Sequence, residues 1–545
     1  MQVSRTRHRI LVALVVSGVL FCAADAALLA VRLTWQAPAI APGGSALGRV
    51  HIAGWGETVA TVGARDASGR AVPVSFVRGT IVPDVQLPVG TRIHLSATVH
   101  RSRWVGWLLG HDRQVEAVTR TPAAWVKQTT VYAKPGHAVA VRFSRPVRVV
   151  TMRLPGGTST RIVLRKPHSV APIGIMEGGD RLAGTVFVSG APRAWERPPK
   201  PLKVNWFPAG PVAHVLVRPA TTETLAPATP IVLTFSRPVD EVLGAQRPVL
   251  KPNVTGTWHQ PSPNTLVFQP SGLGFPLGRR VHLRLPREVE VVMGSDPAPY
   301  RTLTWQVPRG SLLRLKQLLA DLGYLPLAFQ PADGPVPLTP AAQTRAAVDP
   351  PDGTFEWRYT KTPWKLQALW KKEADRATIV RGAIMAYQSA HGMDPDGFPS
   401  MTVFRGLLRD ELAGRHARGG YSYVYVTQAS PEMLTLWHDG KVILRTAVNT
   451  GIPGRPTDIG TFPVYLHLSS TTMAGTNPDG SHYNDVGVPW VNYFSGGDAI
   501  HGFVRPGYGW PQSLGCVEVY IPTAEQIFPY VNVGTLVTVA PPPSV

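Results

Sequence analysis

The sequence predicts a mainly β, multidomain chain: β-sandwich modules, then a small three-helix domain, then a β-rich domain at the end. Three observations carry this. The 52 Gly and 54 Pro among 545 residues favour turns and short strands over long helices. A chain of this length outgrows a single core, so roughly three to five domains are expected. The apolar period changes from alternation to 3.6 residues near position 310, and returns to alternation near 421.

Arg5, Arg7, His8 and Arg9 precede an apolar run from Ile10 to Ala24, which breaks at Asp25 and resumes through Val31. A basic flank before an apolar core is the pattern of an export signal. Residues 1–34 are therefore read either as a signal peptide, with Ala24-Asp25-Ala26 as a cleavage site, or as an uncleaved membrane anchor. Phe21 before Cys22 is too bulky for a lipoprotein site. The chain is expected in the cell wall or on the extracytoplasmic face of the membrane. Export leaves Cys516 without an intramolecular partner, because Cys22 is removed or held in the membrane. Exported proteins usually pair their cysteines. A lone thiol there points to a use.

Net charge is +21, but it is unevenly spread. Residues 421–545 hold 4 Lys+Arg and 8 Asp+Glu, leaving 51 and 26 upstream. The surplus fits either anionic wall polymers or a membrane surface as partner, or plain solubility of an exported chain. No nucleic acid is expected at the acidic C-terminal domain.

From about 35 to 309, alternating runs such as Arg92-Ile-His-Leu-Ser-Ala-Thr-Val99 and Arg280-Val-His-Leu-Arg-Leu285 read as strands with one buried face. Val139-Ala-Val-Arg-Phe-Ser-Arg-Pro-Val147 repeats as Ile231-Val-Leu-Thr-Phe-Ser-Arg-Pro-Val239, with Phe143 and Phe235 in register 92 residues apart. That spacing suits β-sandwich modules over 122–210 and 211–309, after a β-rich module over 35–121. The Phe-Ser-x-Pro-Val element resembles bacterial immunoglobulin-like wall modules, which implies a stalk or spacer.

Leu312, Leu315, Leu318, Leu319 and Leu322 fall on one helical face, closed by Gly323 and Pro326. Further helices are expected over about 377–391 and around Val403 to Leu408. Asp394-Pro-Asp-Gly397 lacks the remaining ligands of a calcium loop and reads as a turn. Leu-Leu-Ala-Asp-Leu-Gly-Tyr-Leu-Pro (318–326), Arg-Gly-Ala-Ile-Met-Ala-Tyr-Gln-Ser-Ala-His-Gly-Met (381–393) and Asp-Gly (396–397) resemble the three-helix peptidoglycan-binding domain. The domain is set at 310–413, with an insertion over 327–373. That insertion carries Phe355, Trp357, Tyr359, Trp364 and Trp370, which either stack on sugar rings or pack it onto the domain.

Strands return over 421–541. Leu434 to Val448 reads as a hairpin turning at Asp439-Gly440, and Thr523-Ala-Glu-Gln526 as a capping box opening a short helix. Cys516 lies fifteen residues after His501, in the setting Ser513-Leu-Gly-Cys516. A thiol with a histidine is a candidate nucleophile and base. His438, His467 and His482 are weaker candidates for the base. No metal set, phosphate loop or cofactor motif is evident.

Asn449-Thr-Gly-Ile-Pro-Gly-Arg-Pro-Thr-Asp-Ile-Gly-Thr-Phe462, Ala499-Ile-His-Gly502, Ser513-Leu-Gly-Cys516 and Gly534-Thr535 together resemble the L,D-transpeptidase (YkuD-type) catalytic domain. The resemblance implies an acyltransferase that acts on peptidoglycan stem peptides and glycan strands. In it Cys516 is the nucleophile and His501 the base. Amides around Leu514, Gly515 and Cys516 hold the oxyanion, Ser513 gives backbone support, and the Gly502 backbone orients the imidazole. Tyr483, Trp490 and Tyr493 are candidate substrate contacts, and Asn477 to Asp485 a candidate lid. A carboxypeptidase of the same fold, or a lapsed wall-binding spacer, are the alternatives. Leu514 stands where the family often has His, and Glu518 where it often has Arg or Asn. A carboxylate at 518 is expected to oppose a thiolate.

Overall fold

The computed structural model describes residues 15–20, 22 and 38–542, except 53–55, 102, 104–110, 135–136, 174–182, 294–295, 299–301 and 371–376. The export segment expected over 1–34 lies almost wholly outside the described residues. No helix among them is long and apolar enough to cross a membrane. The chain is mostly β, at 45% strand and 15% helix. It divides into two compact units, one of residues 1–216, 235–237 and 288–299, the other of 217–234, 238–287 and 300–545.

In the first unit the expected alternation is realised along Arg92–His100, where Ile93, Leu95, Ala97 and Val99 are buried. This strand is central in a three-stranded sheet with Thr58–Asp66 and Asp112–Arg120. Residues 130–208 form a five-stranded sheet built on the long antiparallel pair Val139–Arg153 and Ser159–Ile173. The two copies of the repeat diverge after their buried phenylalanines. Past Phe143 the chain continues as strand to Arg153, whereas past Phe235 it turns into the short helix Val239–Leu243.

The second unit positions the site. Helices Leu312–Asp321, Thr378–Ala390 and Met401–Ala413 pack together, the last capped by Ser400 and closed by Gly414 in the left-handed conformation. Residues 327–370 of the 327–373 insertion are themselves folded. Leu327–Pro331 pairs with Gly353–Trp357 around the helix Pro340–Val348. Phe355, Trp357, Tyr359 and Trp370 pack into the helical core, whereas Trp364 is exposed under Lys365.

Residues 422–540 form two sheets. The five-stranded one runs Lys441–Ala447, Met433–His438, Ser422–Thr427, Leu536–Ala540, Gly460–Pro463. The four-stranded one runs Leu466–Thr476, His482–Ser495, Asp498–Gly502, Val517–Val519. Alternation decides what each face meets. Val424, Val426, Leu434, Leu436, Val537 and Val539 join Ile500, Val517 and Val519 in one core. Tyr423, Trp437 and Leu536, on the opposite face, belong to the core of the helices. The helical segment thus shares one hydrophobic core with the C-terminal domain. Gly382 and Gly534 mark the closest approach: a Cβ on Gly534 would lie 2.4 Å from the Gly382 carbonyl oxygen. The hairpin turns at Asp439-Gly440, both with positive φ. The Thr523 capping box is not used, because the helix Ile521–Ile527 starts earlier, with Pro522 in its first turn.

Candidate active site

His501 sits on a strand, and Cys516 at the entry of the neighbouring one. Asp498–Gly502 runs parallel to Val517–Val519, in the register Ile500↔Val517, His501↔Glu518, Gly502↔Val519. Cys516 directly precedes Val517 and so lies beside Ala499. Side chains alternate along a strand, and residues paired across share a face. Ile500, Val517 and Val519 point into the domain core, while Ala499 and Cys516 lie in a separate cluster with Tyr493 and Met473. His501, Cys516 and Glu518 therefore occupy one face, with the imidazole diagonal to the thiol.

His501 is 2% exposed. Its Nδ1 is 3.1 Å from the Gly502 carbonyl oxygen. A carbonyl only accepts, so Nδ1 carries the proton and Nε2 is left with a lone pair. Burial lowers its pKa, and Arg505 lowers it further against the opposing pulls of the Gly502 hydrogen bond and Glu518. Burial pushes the Cys516 thiol up to about 12, opposed by the Ala499 amide and reinforced by Asp498 and Glu518. The pair rests as neutral imidazole and neutral thiol. The thiol donates to the Gly497 carbonyl oxygen at 3.7 Å.

Glu518 does not stand as a free charge. Arg505 donates to it from Nε at 2.8 Å and Nη2 at 2.7 Å, and its guanidinium stacks on Phe503, whose ring meets His501 edge-on. The expected opposition to the thiolate is reduced by this fork-to-fork pair.

The cysteine loop is held by Asn449-Thr450-Gly451. Asn449 exchanges backbone hydrogen bonds with Glu518, while the amides of Gln512 and Ser513 donate to the Thr450 carbonyl. Thr450 is tied in turn to the buried Glu432 through its amide and hydroxyl, each at 2.6 Å. Ser513 Oγ donates to the Cys516 carbonyl at 2.6 Å and accepts from the Gly515 amide at 3.3 Å. The Gly515 amide is thus turned toward Ser513, one of the three amides expected around an oxyanion.

The candidate substrate residues separate. Tyr493 packs in the same cluster as Cys516, and burial raises the pKa values of both Tyr483 and Tyr493, the charged form of Cys516 being the next cause. Trp490 instead packs on Phe528 and the domain core. Residues 477–485, the candidate lid, form the end of a hairpin. They turn and re-enter the long hairpin of Leu466–Thr476 with His482–Ser495. Of the weaker histidines, His438 pairs with Ser422, His467 with Asn492 under Phe528, and His482 with Thr476.

Residues that spacing alone did not single out complete the site. Tyr465 lies close to the thiol, its pKa raised by burial, Asp498 and Cys516 in that order. Asp498 Oδ2 accepts from the Asp458 amide at 2.9 Å, and Ser495 donates to Asp458 at 2.7 Å. Burial raises the Asp498 carboxyl to about 6. Its place three residues before His501 was the one available signal. Among the described residues no group of His, Cys, Asp and Glu is arranged to hold a metal.

No curated protein matches the chain. Among solved structures, a mutant L,D-transpeptidase from Enterococcus faecium is 26% identical over 25% of this chain and 62% of its own, with TM-score 0.21. The E. faecium L,D-transpeptidase catalytic domain is 29% identical over 23% of this chain and 99% of its own, with TM-score 0.20. An L,D-transpeptidase from Mycobacterium smegmatis is 14% identical over 60% of this chain and 98% of its own, with TM-score 0.19. The chain spans less than two thirds of the first of these relatives. Residues 421–539, which contain both His501 and Cys516, match the family model of the YkuD L,D-transpeptidase catalytic domain.

Proposed function

We propose that the chain is an exported, wall-acting L,D-transpeptidase that cross-links peptidoglycan stem peptides through a thioester on Cys516. The observation that carries this is the placement of His501 and Cys516 on one face of a parallel strand pair, inside the matched domain. Cys516 Sγ attacks the carbonyl between the L-centre and the D-centre of a tetrapeptide stem. The S–C bond forms as the thiol proton passes to His501 Nε2. The amides of Leu514 and Cys516 face the oxyanion, while that of Gly515 is held by Ser513 Oγ. His501 then returns the proton to the departing amine, and the terminal D-residue leaves as the C–N bond breaks. The amine of a second stem attacks the thioester, His501 takes its proton, and the sulfur leaves with that proton restored.

The basic, apolar start of the chain supports export, and the helices before the domain support attachment to the wall. The test is incubation with a defined tetrapeptide stem. Mass spectrometry is expected to show an adduct on Cys516 and, with an acceptor present, a cross-linked dimer. Cys516→Ala removes both. A shortened monomer without dimer reassigns the chain as a carboxypeptidase, and activity surviving Cys516→Ala overturns the reading.

A further inference from the structure

We propose that a recess in the second unit binds a linear phosphate-bearing polymer, held by arginines from the β module and from the helices. A cavity of 630 Å³ is lined by Lys251, Arg279, Arg280, His282 and Arg405. A smaller cavity of 190 Å³ shares Pro276, Arg279 and Arg405 with it and adds Arg409. Shared walls make the two one groove. No aspartate or glutamate lines either cavity.

The charges come from separate elements. Lys251 ends the strand Val249–Lys251, and Arg280 opens the strand Arg280–Arg284. Arg405 and Arg409 are one turn apart on the helix Met401–Ala413, so they project side by side. The two walls meet at Gly278, where a Cβ would lie 3.2 Å from Arg309 Cγ and 3.3 Å from Met401 Cγ. Gathering like charges from three elements into a concavity is unfavourable unless an anion offsets them. Arg505, Arg415 and Arg314 in this unit have acidic partners in Glu518, Asp410 and Asp321. The cations of the groove have none in its lining, and that counter-charge is what a ligand supplies.

Shape and lining narrow the ligand. Guanidinium forks suit oxyanions that accept two parallel hydrogen bonds. The volume exceeds what one phosphate fills, which favours successive groups of a chain. A bilayer surface does not enter a recess between two walls as a single chain does. Phe275, the one Phe, Tyr or Trp ring in the lining, is fully buried, so successive bases find no large exposed ring to stack on.

The probe is linear inorganic polyphosphate, titrated against the full chain at several salt concentrations. Wild type is expected to bind, with affinity falling as salt rises. The double change Arg279→Gln and Arg405→Gln is expected to weaken binding at least about 10-fold and to lower the log–log salt slope by about 0.7 per lost contact. Arg113→Gln, on an exposed strand of the first unit, serves as the control and leaves binding unchanged. An unaltered thermal midpoint in the double variant shows that folding is intact, and Cys516 acylation reports separately on the catalytic reading. The proposal is overturned if wild type does not bind, or if the double variant binds like the control. It is also overturned if phosphatidylglycerol vesicles or polyglutamate are retained while polyphosphate is not.

Discussion

Gly515 stands against the carboxylate of Asp498: a Cβ built on it would lie 2.3 Å from Asp498 Oδ1. Its φ of +119° is also one that side-chain-bearing residues rarely adopt. Gly515→Ala is therefore expected to displace the neighbouring Cys516. A shift of about 1 Å in a reacting atom costs on the order of 100-fold in rate. Acylation of Cys516 by a tetrapeptide stem, followed by mass, measures it. Asp498→Ala in the same chain relieves the clash but not the backbone strain, and so restores only part of the rate.

The neutral resting pair predicts the pH profile. His501 must be unprotonated to accept the thiol proton, and burial lowers its pKa below the usual 6.5. Acylation is expected to rise as pH increases through that lowered value and then to stay level through pH 9. The thiol, pushed up to about 12, adds no limb in that range. A second rise near pH 8.5, the value of a free thiol, contradicts a neutral thiol donor.

Arg505 and Glu518 form a nearly buried pair, with side-chain exposures of 29% and 5%. Glu518→Gln leaves Arg505 unopposed beside His501. Breaking such a pair from one side is expected to cost about 2 kcal/mol of stability, and to depress the His501 pKa further. Removing both charges, as Glu518→Gln with Arg505→Gln, is expected to recover much of the stability. Thermal midpoints of the two single variants and the double variant give the coupling.

Asp498 makes stability depend on pH. Folded, it holds its proton up to about 6, whereas the usual carboxyl value is 3.8. The folded state thus binds more proton between those values, so stability falls as pH rises from about 4 to about 6. The full shift would correspond to about 3 kcal/mol at about 1.4 kcal/mol per pH unit, and solvent screening of this half-buried carboxyl reduces it to on the order of 1 kcal/mol. Asp498→Asn is expected to flatten this part of the profile of thermal midpoint against pH.

Gly534→Ala tests the shared core. A Cβ there would lie 2.4 Å from the Gly382 carbonyl oxygen and 2.6 Å from the Ala386 amide nitrogen, and φ is +92°. Overpacking of this kind costs about 1 to 3 kcal/mol, plus strain. The helices and the C-terminal domain are expected to melt in one transition, lowered as a whole by the change. Two transitions with only one displaced would show separate cores.

Much of this was legible because it is local. Alternation marked Arg92–His100, the 3.6-residue period marked the helices, and Asp439-Gly440 marked its turn. The residues His501 and Cys516 are visible in one dimension, but their common face depends on a parallel register that no short-range pattern encodes. Arg505 could not be assigned to Glu518 from spacing, since thirteen residues and a loop separate them. Trp490 packs on Phe528, and sequence alone does not separate an aromatic that lines a cleft from one that packs in this way. The Thr523 capping box failed for a different reason. Pro522 already suits the first turn, so the helix opens ahead of it.

Where the backbones of Gly382 and Gly534 touch, there is no room for a hinge. Whatever the helices grip, their hold is passed to the strands of the C-terminal domain without slack. The pair is also inherited as a block: transplanting the residues after 421 onto another carrier would strip Leu536, Tyr423 and Trp437 of their cover. A working graft has to take the helices along, and the natural cut lies before Leu312 rather than after Ala413.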